Sequence, residues 1–154
     1  MLHLKRPIWD GLCRHAQETF PEECCGAIVL GADGEETVRR ITNRQNAMHA
    51  KDPRNYPRDA TIAYFMDPKE LLAIIQETEG GGATLKAFYH SHPNHDAYFS
   101  AEDKARAMFI DEPSYPDTAY LVISIYDREV RAMRAYLWNE ERKDFVETSL
   151  STEV

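Results

Sequence analysis

The spacing of apolar side chains predicts helices and strands that alternate along most of the chain. Apolar residues recur at helical spacing over 8–20, with Pro7 near the first turn, and again over 68–79, which Pro68 opens and three glycines end. Apolar or alternating runs predict strands at 26–30, 36–41, 85–92, 118–126, 130–138 and, as an edge strand, 145–150. Helices that flank a mixed sheet follow from this order, so the predicted class is α+β.

The polar segments between these runs predict connections within one domain. Residues 31–34 form a Gly-Ala-Asp-Gly turn, and the polar stretch 42–58, with Pro53 and Pro57, predicts a long loop. The 154 residues contain no Gly/Ser linker, no charge block and no internal repeat. A chain of this length can bury a real core, so we expect a single domain over 1–154.

Charge and cysteine content narrow the classes of function. The formal net charge of −8 argues against non-specific binding to nucleic acid. No apolar segment is long enough to span a membrane, and the first residues do not resemble a signal peptide. Three cysteines do not make a disulfide framework, which indicates the reducing cytoplasm. Cys24 and Cys25 are adjacent and face opposite ways on an extended chain, so we expect both, like Cys13, to be core residues.

A short stretch near the middle of the chain has the spacing of a metal site. His90 and His92 point the same way on a strand, because strand side chains alternate faces, and Pro93 ends that strand. Ser100 is placed like the N-cap of the next helix, which puts Asp103 in the first turn, where it can face back toward the strand end. Residues 105–109 continue at helical spacing.

Two imidazoles and one carboxylate leave a fourth tetrahedral position open, which is the pattern of a catalytic zinc site. His95 is the rival to Asp103 as third ligand. It lies in the loop 94–96 without the fixed geometry of a strand position, so it is interpreted as a solvent-facing or substrate-side residue. The prediction is therefore one zinc ion per chain, held by His90, His92 and Asp103.

These residues resemble the motif of the JAMM (MPN+) metalloproteases, in which an upstream glutamate precedes His-x-His-Pro and Ser-x-x-Asp. The family pattern Pro-x-Glu-x-x-Gly before an apolar strand selects Glu23 over Glu22. The resemblance covers about 21–138 and is greatest to compact bacterial members that process ubiquitin-like sulfur-carrier proteins. It implies the JAB/MPN fold, with a topology related to deaminases, and a substrate cut after a C-terminal Gly-Gly.

The chemistry of amide hydrolysis assigns roles to two further residues. Zinc lowers the pKa of its bound water and polarises a carbonyl. A carboxylate bonded to that water can act as general base and then as acid for the leaving amine, and Glu23 is the candidate. The Ser100 hydroxyl can stabilise the oxyanion or cap the helix.

Aromatic and loop residues suggest where a substrate tail binds. Tyr98 and Phe99 either form a wall for the tail or fill the gap between loop and sheet. We expect a glycine-rich tail to enter extended and to pair with an exposed strand edge near 60–64. His49 is expected to be a surface residue, with a role in holding the substrate as the alternative.

Three other functions are weighed against the peptidase. A hydrolase of short peptides or amino-acid conjugates keeps the same zinc chemistry. A non-catalytic module that binds a ubiquitin-like protein would not need Glu23. A nucleoside deaminase would require a Pro-Cys-x-x-Cys ligand pair, which the adjacent Cys24 and Cys25 do not supply.

Overall fold

The computed structural model describes residues 1–153 and contains a central six-stranded sheet. Its elements in chain order are β1 (Leu2–Leu4), α1 (Arg6–Thr19), β2 (Cys25–Leu30), β3 (Glu36–Ile41), α2 (Gln45–Lys51), α3 (Pro68–Gly80), β4 (Thr84–Pro93), α4 (Ala101–Ala107), β5 (Met108–Phe109), β6 (Glu112–Pro113), β7 (Ala119–Tyr126), β8 (Glu129–Asn139), β9 (Asp144–Thr148) and β10 (Leu150–Thr152). The strand order is β3-β2-β4-β7-β8-β9. β4 and β7 are parallel and the other neighbours antiparallel, which confirms the predicted α+β class.

The alternation of side chains along the central strands divides the core between the two faces of the sheet. On the α1 face, Leu12 and Ala16 of α1 pack against Tyr89 and Leu121. On the α4 face, the buried cluster includes Phe88 and Val122 from the sheet together with Ile74 of α3 and Ala107 of α4. Residues of equal parity on β4 share a face, so His90 and His92 lie on the α4 face with Phe88.

The α1 face contains a buried polar pair. Helix α1 buries His15 beside Leu12 and Ala16, and its Nδ1 lies 2.6 Å from the Tyr89 hydroxyl of β4. The tyrosine ring crosses β2 at Gly26, where a Cβ atom would lie 2.5 Å from the Tyr89 hydroxyl oxygen and 2.4 Å from the Arg39 carbonyl oxygen. A side chain at this position would therefore have to displace the Tyr89 ring or the Arg39 backbone.

The prediction of a continuous loop over 42–58 is wrong, because part of this stretch, Gln45–Lys51, forms the helix α2. The helix shows little apolar periodicity, since most of it is exposed or half-buried and Gln45 is its buried residue. Tertiary hydrogen bonds stabilise it instead. The Gln45 side chain donates to the Arg58 carbonyl oxygen at 2.8 Å, and the Asn46 side chain accepts from the backbone N–H of Ala60 at 2.8 Å.

The predicted strand edge at 60–64 is also wrong, because the described residues 60–64 form a bend and turn, not a strand. Its main chain already has partners within the protein. The Ala60 carbonyl oxygen accepts from the Glu23 N–H at 2.7 Å, and the Ala63 carbonyl oxygen accepts from the Asn43 side chain at 3.3 Å. These two carbonyl groups therefore already have partners within the protein and are not free to pair with an incoming tail.

Other predicted boundaries differ by local turns. The helix after Ser100 ends at Ala107, and the next two residues enter the β5–β6 hairpin, with Phe109 exposed. The run 145–150 divides at Ser149 into β9, the sheet edge, and β10, which pairs in parallel with β1. The strand β1 was not predicted, because three residues are too few to show a period.

The core assignment of the cysteines is confirmed, and all three are free. Cys24 belongs to the cluster on the α1 face and Cys25 to the cluster on the α4 face, as alternation requires. Cys13 is half-buried and packs against the first cluster. Among residues 1–153, no helix has the length and apolar character needed to cross a membrane.

Candidate metal centre

The structure brings His90, His92 and Asp103 together on the α4 face, and all three are buried. The two Nε2 atoms lie 3.1 Å apart. Each also lies 3.1 Å from one oxygen of the Asp103 carboxylate, His90 from Oδ1 and His92 from Oδ2. The histidines come from the end of β4, and Asp103 comes from the first turn of α4, which packs on the same face.

The hydrogen bonding of this group fits a bound cation. Nδ1 of His92 lies 2.8 Å from the Asp96 carbonyl oxygen, which can only accept, so the ring proton is on Nδ1. The Nε2 of a neutral His92 then presents a lone pair to the Asp103 carboxylate. Ligands of a tetrahedral zinc ion are about 3.3 Å apart, close to the spacing here, and a set of two nitrogens and one oxygen suits zinc.

The charge state of Asp103 agrees with a ligand role. Burial by itself raises the pKa of the carboxyl, but the adjacent imidazoles of His90 and His92 outweigh that effect and hold its pKa well below the usual range. A carboxylate is the form that binds a metal ion.

Glu23 lies beside this group because of the register of β2. Cys25 pairs with His90, so the chain two residues earlier passes the ligand end of β4. The Glu23 side chain is only 5% exposed, and burial, aided by the charges of Asp103 and Glu102, raises its pKa well above the ordinary value. Its neighbour Glu22 instead accepts a hydrogen bond from the Asn46 side chain at 2.9 Å.

Ser100 caps α4 in a reciprocal arrangement with Asp103. The Ser100 hydroxyl oxygen accepts from the Asp103 N–H at 3.0 Å, and Asp103 Oδ2 accepts from the Ser100 N–H at 3.0 Å. The capping bond uses an acceptor lone pair of the hydroxyl and leaves its O–H free to donate. The two roles considered for Ser100 are therefore compatible, and the same capping box orients Asp103.

A cleft of about 320 Å³ opens onto this group and is lined by Glu23, His92, Ser100 and Asp103. Tyr98 also lines it, with a side chain 51% exposed and its ring edge-on to His92 at 5.3 Å between centroids.

The other aromatic and histidine side chains have separate surroundings. Phe99 stacks on Tyr136, 5.4 Å between centroids, inside the α4-face core, which is the packing alternative considered for it. His95 lines the cleft with Nδ1 2.9 Å from the Pro93 carbonyl oxygen, outside the ligand group. His49 lies 2.7 Å from the Tyr56 carbonyl oxygen and is half-buried.

Sequence reasoning missed several residues that line the cleft. Tyr64 is buried and its ring stacks on His90 at 4.5 Å between centroids. Arg58 and Arg106 also line the cleft, and both contact Glu102. The spacing of Glu102 and Arg106, four residues apart on a helix, was a readable signal of a contact. Tyr64 and Arg58 come from irregular segments, where no period exists to place a side chain.

Comparison with known proteins identifies the family. Residues 5–136 match the family described as prokaryotic homologs of the JAB domain. The chain belongs to this family. The desampylase of Haloferax volcanii is 32% identical to this JAB-domain chain over 99% of its length and 96% of the relative's. The CysO-cysteine peptidase of Mycobacterium tuberculosis is 26% identical to it, over 88% of the JAB-domain chain and 82% of the length of the peptidase.

Solved structures support the same fold. The match to the protein DSY2949 from Desulfitobacterium hafniense covers 99% of this JAB-domain chain and 93% of the DSY2949 chain, with a TM-score of 0.70 and 23% identity. AF2198, a JAB1/MPN domain protein from Archaeoglobus fulgidus, covers 100% of both chains with a TM-score of 0.52 and 13% identity. The JAB/MPN fold predicted from the motif is thus confirmed, and the protein is a JAMM-type hydrolase.

Proposed function

We propose that this JAMM-type hydrolase is a zinc-dependent peptidase that cuts the amide bond after the C-terminal Gly-Gly of a ubiquitin-like or sulfur-carrier protein. The observation that carries the proposal is the convergence of the His90 and His92 Nε2 atoms with the Asp103 carboxylate, each pair of groups 3.1 Å apart at its closest atoms, beside the buried Glu23 at one open cleft. The printed names of the two relatives, desampylase and CysO-cysteine peptidase, support a protein substrate of this kind.

His90, His92 and Asp103 would hold one zinc ion per chain. When bound, zinc supplies a Lewis acid that polarises the scissile carbonyl and lowers the pKa of a water molecule. The rest of the site keeps the ligands in place. Tyr64 stacks on the His90 ring, the Asp96 carbonyl orients the His92 ring, and the capping box of Ser100 orients Asp103.

Glu23 moves the protons of the reaction. It takes a proton from the attacking water and gives it to the leaving amine, so that one water molecule becomes part of a new carboxylate and a new amine. Its burial beside other carboxylates supports this role, because both effects raise its pKa toward the range in which a carboxyl can accept and return a proton.

Ser100 donates its free O–H to the oxyanion that forms on the substrate carbonyl. The helix cap supports this assignment, because a hydroxyl held as an acceptor by the Asp103 N–H is restricted in where its own proton can point.

A glycine tail is the substrate that suits the cleft. The cleft has a volume of about 320 Å³ and lies open beside the candidate ligands, and the exposed Tyr98 lines it. Glycine lets the backbone approach the ligands and the walls closely. We propose Tyr98 as the wall against which the tail lies, and the packing of Phe99 in the core supports only an indirect role for it.

Intact-mass analysis tests the function. A sulfur-carrier protein that ends in Gly-Gly and is extended by one amino acid is incubated with zinc-loaded enzyme, and the Glu23→Gln variant serves as control. We expect the substrate to lose only the added residue, and only with the parent enzyme. No mass change, with zinc shown to be bound by elemental analysis, would contradict the substrate assignment and favour a hydrolase of short peptides or amino-acid conjugates.

We also propose that the protein works in the cytoplasm. Three free cysteines, two of them fully buried, support a reducing compartment.

A further inference from the structure

The side chain of Asn43 uses all of its hydrogen-bonding capacity on main-chain groups around the cleft. Its Nδ2 donates to the carbonyl oxygens of Glu23 at 2.9 Å and of Ala63 at 3.3 Å. Its Oδ1 accepts from the backbone N–H groups of Gln45 at 3.0 Å and of Phe65 at 2.9 Å. A side-chain amide has two N–H donors and two acceptor lone pairs, so every site is occupied. A flipped amide would set donors against donors, so the four bonds also determine its orientation.

The chain around Asn43 has main-chain hydrogen bonds that do not involve this amide. The Arg44 N–H donates to the Phe65 carbonyl oxygen at 2.7 Å, and the Asp67 N–H donates to the Thr42 carbonyl oxygen at 3.0 Å. A residue without the amide can therefore keep this segment in place. What the amide adds is a connection from this segment to other parts of the site.

Glu23 is the first of these parts, and it lies in a stretch that no helix or strand holds. The helix α1 ends at Thr19 and the strand β2 begins at Cys25, so Glu23 belongs to neither. Its N–H donates to the Ala60 carbonyl oxygen at 2.7 Å, and its carbonyl oxygen accepts from Asn43 Nδ2. Both main-chain polar groups of the candidate base are thus bound by distant residues. The position of its carboxylate depends on these tertiary contacts.

The other bonds of Asn43 lead to the wall of the metal centre. Ala63 and Phe65 are the neighbours of Tyr64, so the amide binds the main chain on both sides of that residue. The Tyr64 ring is buried and stacks on His90, with 4.5 Å between centroids and 26° between the ring planes. One amide therefore connects the segment of the base to the residue that packs on a candidate ligand.

We propose that Asn43 is a positioning residue for the hydrolysis and acts by fixing Glu23 relative to the metal centre. The inference rests on the proposed role of Glu23 as base, and it adds a residue that is not among those described as lining the cleft. A base works only within hydrogen-bond reach of the proton it takes, and a displacement of about 1 Å can cost about a hundredfold in rate. Loss of the Asn43 donor releases the Glu23 carbonyl and lets the segment that carries the base move.

The first test compares turnover of Asn43→Ala with two controls, at saturating zinc and per folded molecule, on a sulfur-carrier protein extended by one residue past Gly-Gly. We expect kcat of Asn43→Ala to fall about tenfold to a hundredfold, with KM near that of the parent, because the amide does not contact the tail. Asn55→Ala removes an exposed amide of the same segment that bonds Asp52. Gly26→Ala disturbs the core on the α1 face. Both controls should keep the kcat of the parent.

A second variant covers the case in which Asn43→Ala does not fold. Asn43→Asp keeps an oxygen for the N–H groups of Gln45 and Phe65, but it sets its other oxygen against the Glu23 carbonyl. Its kcat should fall in the same range as that of Asn43→Ala.

A double-mutant cycle separates positioning of the base from a general loss of structure. If Asn43 acts through Glu23, adding Asn43→Ala to Glu23→Gln should cost less than about twofold in the residual kcat, measured over long incubations. Losses that multiply would overturn the inference, because Asn43 would then act on another feature of the site.

Hydrogen exchange gives a readout that does not depend on turnover. In zinc-loaded Asn43→Ala, the Glu23 N–H should exchange about tenfold faster relative to the N–H of Leu121, a fully buried core residue, than in the parent. Asn55→Ala should keep the exchange ratio of the parent. An unchanged kcat or an unchanged exchange ratio in Asn43→Ala would overturn the inference and leave the proposed function intact. If the parent does not cleave the extended carrier protein, the proposed function fails, and an unchanged exchange ratio would then overturn the positioning role as well.

Discussion

The two faces of the central sheet each bury histidine side chains, but in opposite ways. On the α1 face, His15 is paired with the neutral Tyr89 hydroxyl at 2.6 Å. On the α4 face, His90 and His92 turn their Nε2 atoms toward each other and toward the Asp103 carboxylate, all within 3.1 Å. Both arrangements use β4, in which Tyr89 and His90 are adjacent residues.

The difference separates a structural histidine from histidines placed as candidate metal ligands. His15 meets a hydroxyl that can donate or accept, so the neutral pair is satisfied without any further species. His92 donates through Nδ1 to a carbonyl, so in its neutral form it turns a lone pair toward a carboxylate, an arrangement that a cation between them would stabilise. We expect changes on the α4 face to affect metal binding and turnover, and changes on the α1 face to affect stability.

The largest effect is expected from Glu23→Gln. The amide is isosteric but cannot take a proton from water, so kcat should fall by about a hundredfold or more, while zinc content and unfolding midpoint stay near those of the parent. Turnover of the extended carrier protein measures the loss. Glu22→Gln is the matched control, because the Glu22 carboxylate bonds Asn46 away from the ligands. An equal loss in both variants would contradict the assignment of the base.

Asp103→Asn should come next, with zinc affinity reduced about a hundredfold or more. A neutral amide is a poorer ligand than a carboxylate, and even the loss of a group behind a ligand costs 10–100-fold. Asparagine can still accept the Ser100 N–H, so the helix cap is kept. Competition with a chelator measures the affinity, and Asp10→Asn on the exposed side of α1 is the control. Unchanged affinity in Asp103→Asn would remove Asp103 from the ligand set.

On the α1 face, Gly26→Ala should destabilise the fold by about 1–3 kcal/mol, since the added Cβ overlaps Tyr89 and the Arg39 carbonyl. Urea unfolding of the parent and of Gly26→Ala gives the difference between their free energies of unfolding. Gly80→Ala, where the added Cβ meets no atom within 4 Å among the described residues, should be neutral or slightly stabilising. If turnover per folded molecule falls in Gly26→Ala as far as in Glu23→Gln, then changes on the α1 face affect catalysis as well as stability, and the expected division between the faces is wrong.

The smallest effect is a pH dependence of stability that comes from His15. Burial, followed by the charge of Arg40, lowers the pKa of His15 from 6.5 to about 4. Between these values the unfolded chain binds more protons, so stability falls as the pH drops from 6.5 toward 4 and is fully present above 6.5.

Urea unfolding at pH 7 and pH 5, with a chelator present, measures this contribution. The parent should lose about 1–2 kcal/mol more between the two pH values than His15→Gln, which cannot titrate. An equal loss of unfolding free energy in the parent and in His15→Gln would contradict the assignment of His15 as a neutral, buried histidine.

Much of the fold and of the ligand group was readable from local patterns. The central strands and the long helices were predicted because each buries a regular stripe or run of apolar residues, and α+β followed from their order. His90 and His92 followed from the period of a strand, and Asp103 from its distance to the cap at Ser100. Each of these inferences spans fewer than about 15 residues, a range over which backbone geometry alone fixes the direction of a side chain.

The sequence by itself thus determined the class of fold and the family, and it predicted the group of His90, His92 and Asp103 that the structure brings together. The tertiary structure alone decided the presence of α2, the bend at 60–64, and the convergence of Arg58, Arg106 and Gln45. These features are held by hydrogen bonds between distant segments, such as Gln45 to Arg58, and not by any local period of apolar residues. Contacts of that kind leave no repeating signal in the chain, because each depends on where the rest of the fold has placed its partner.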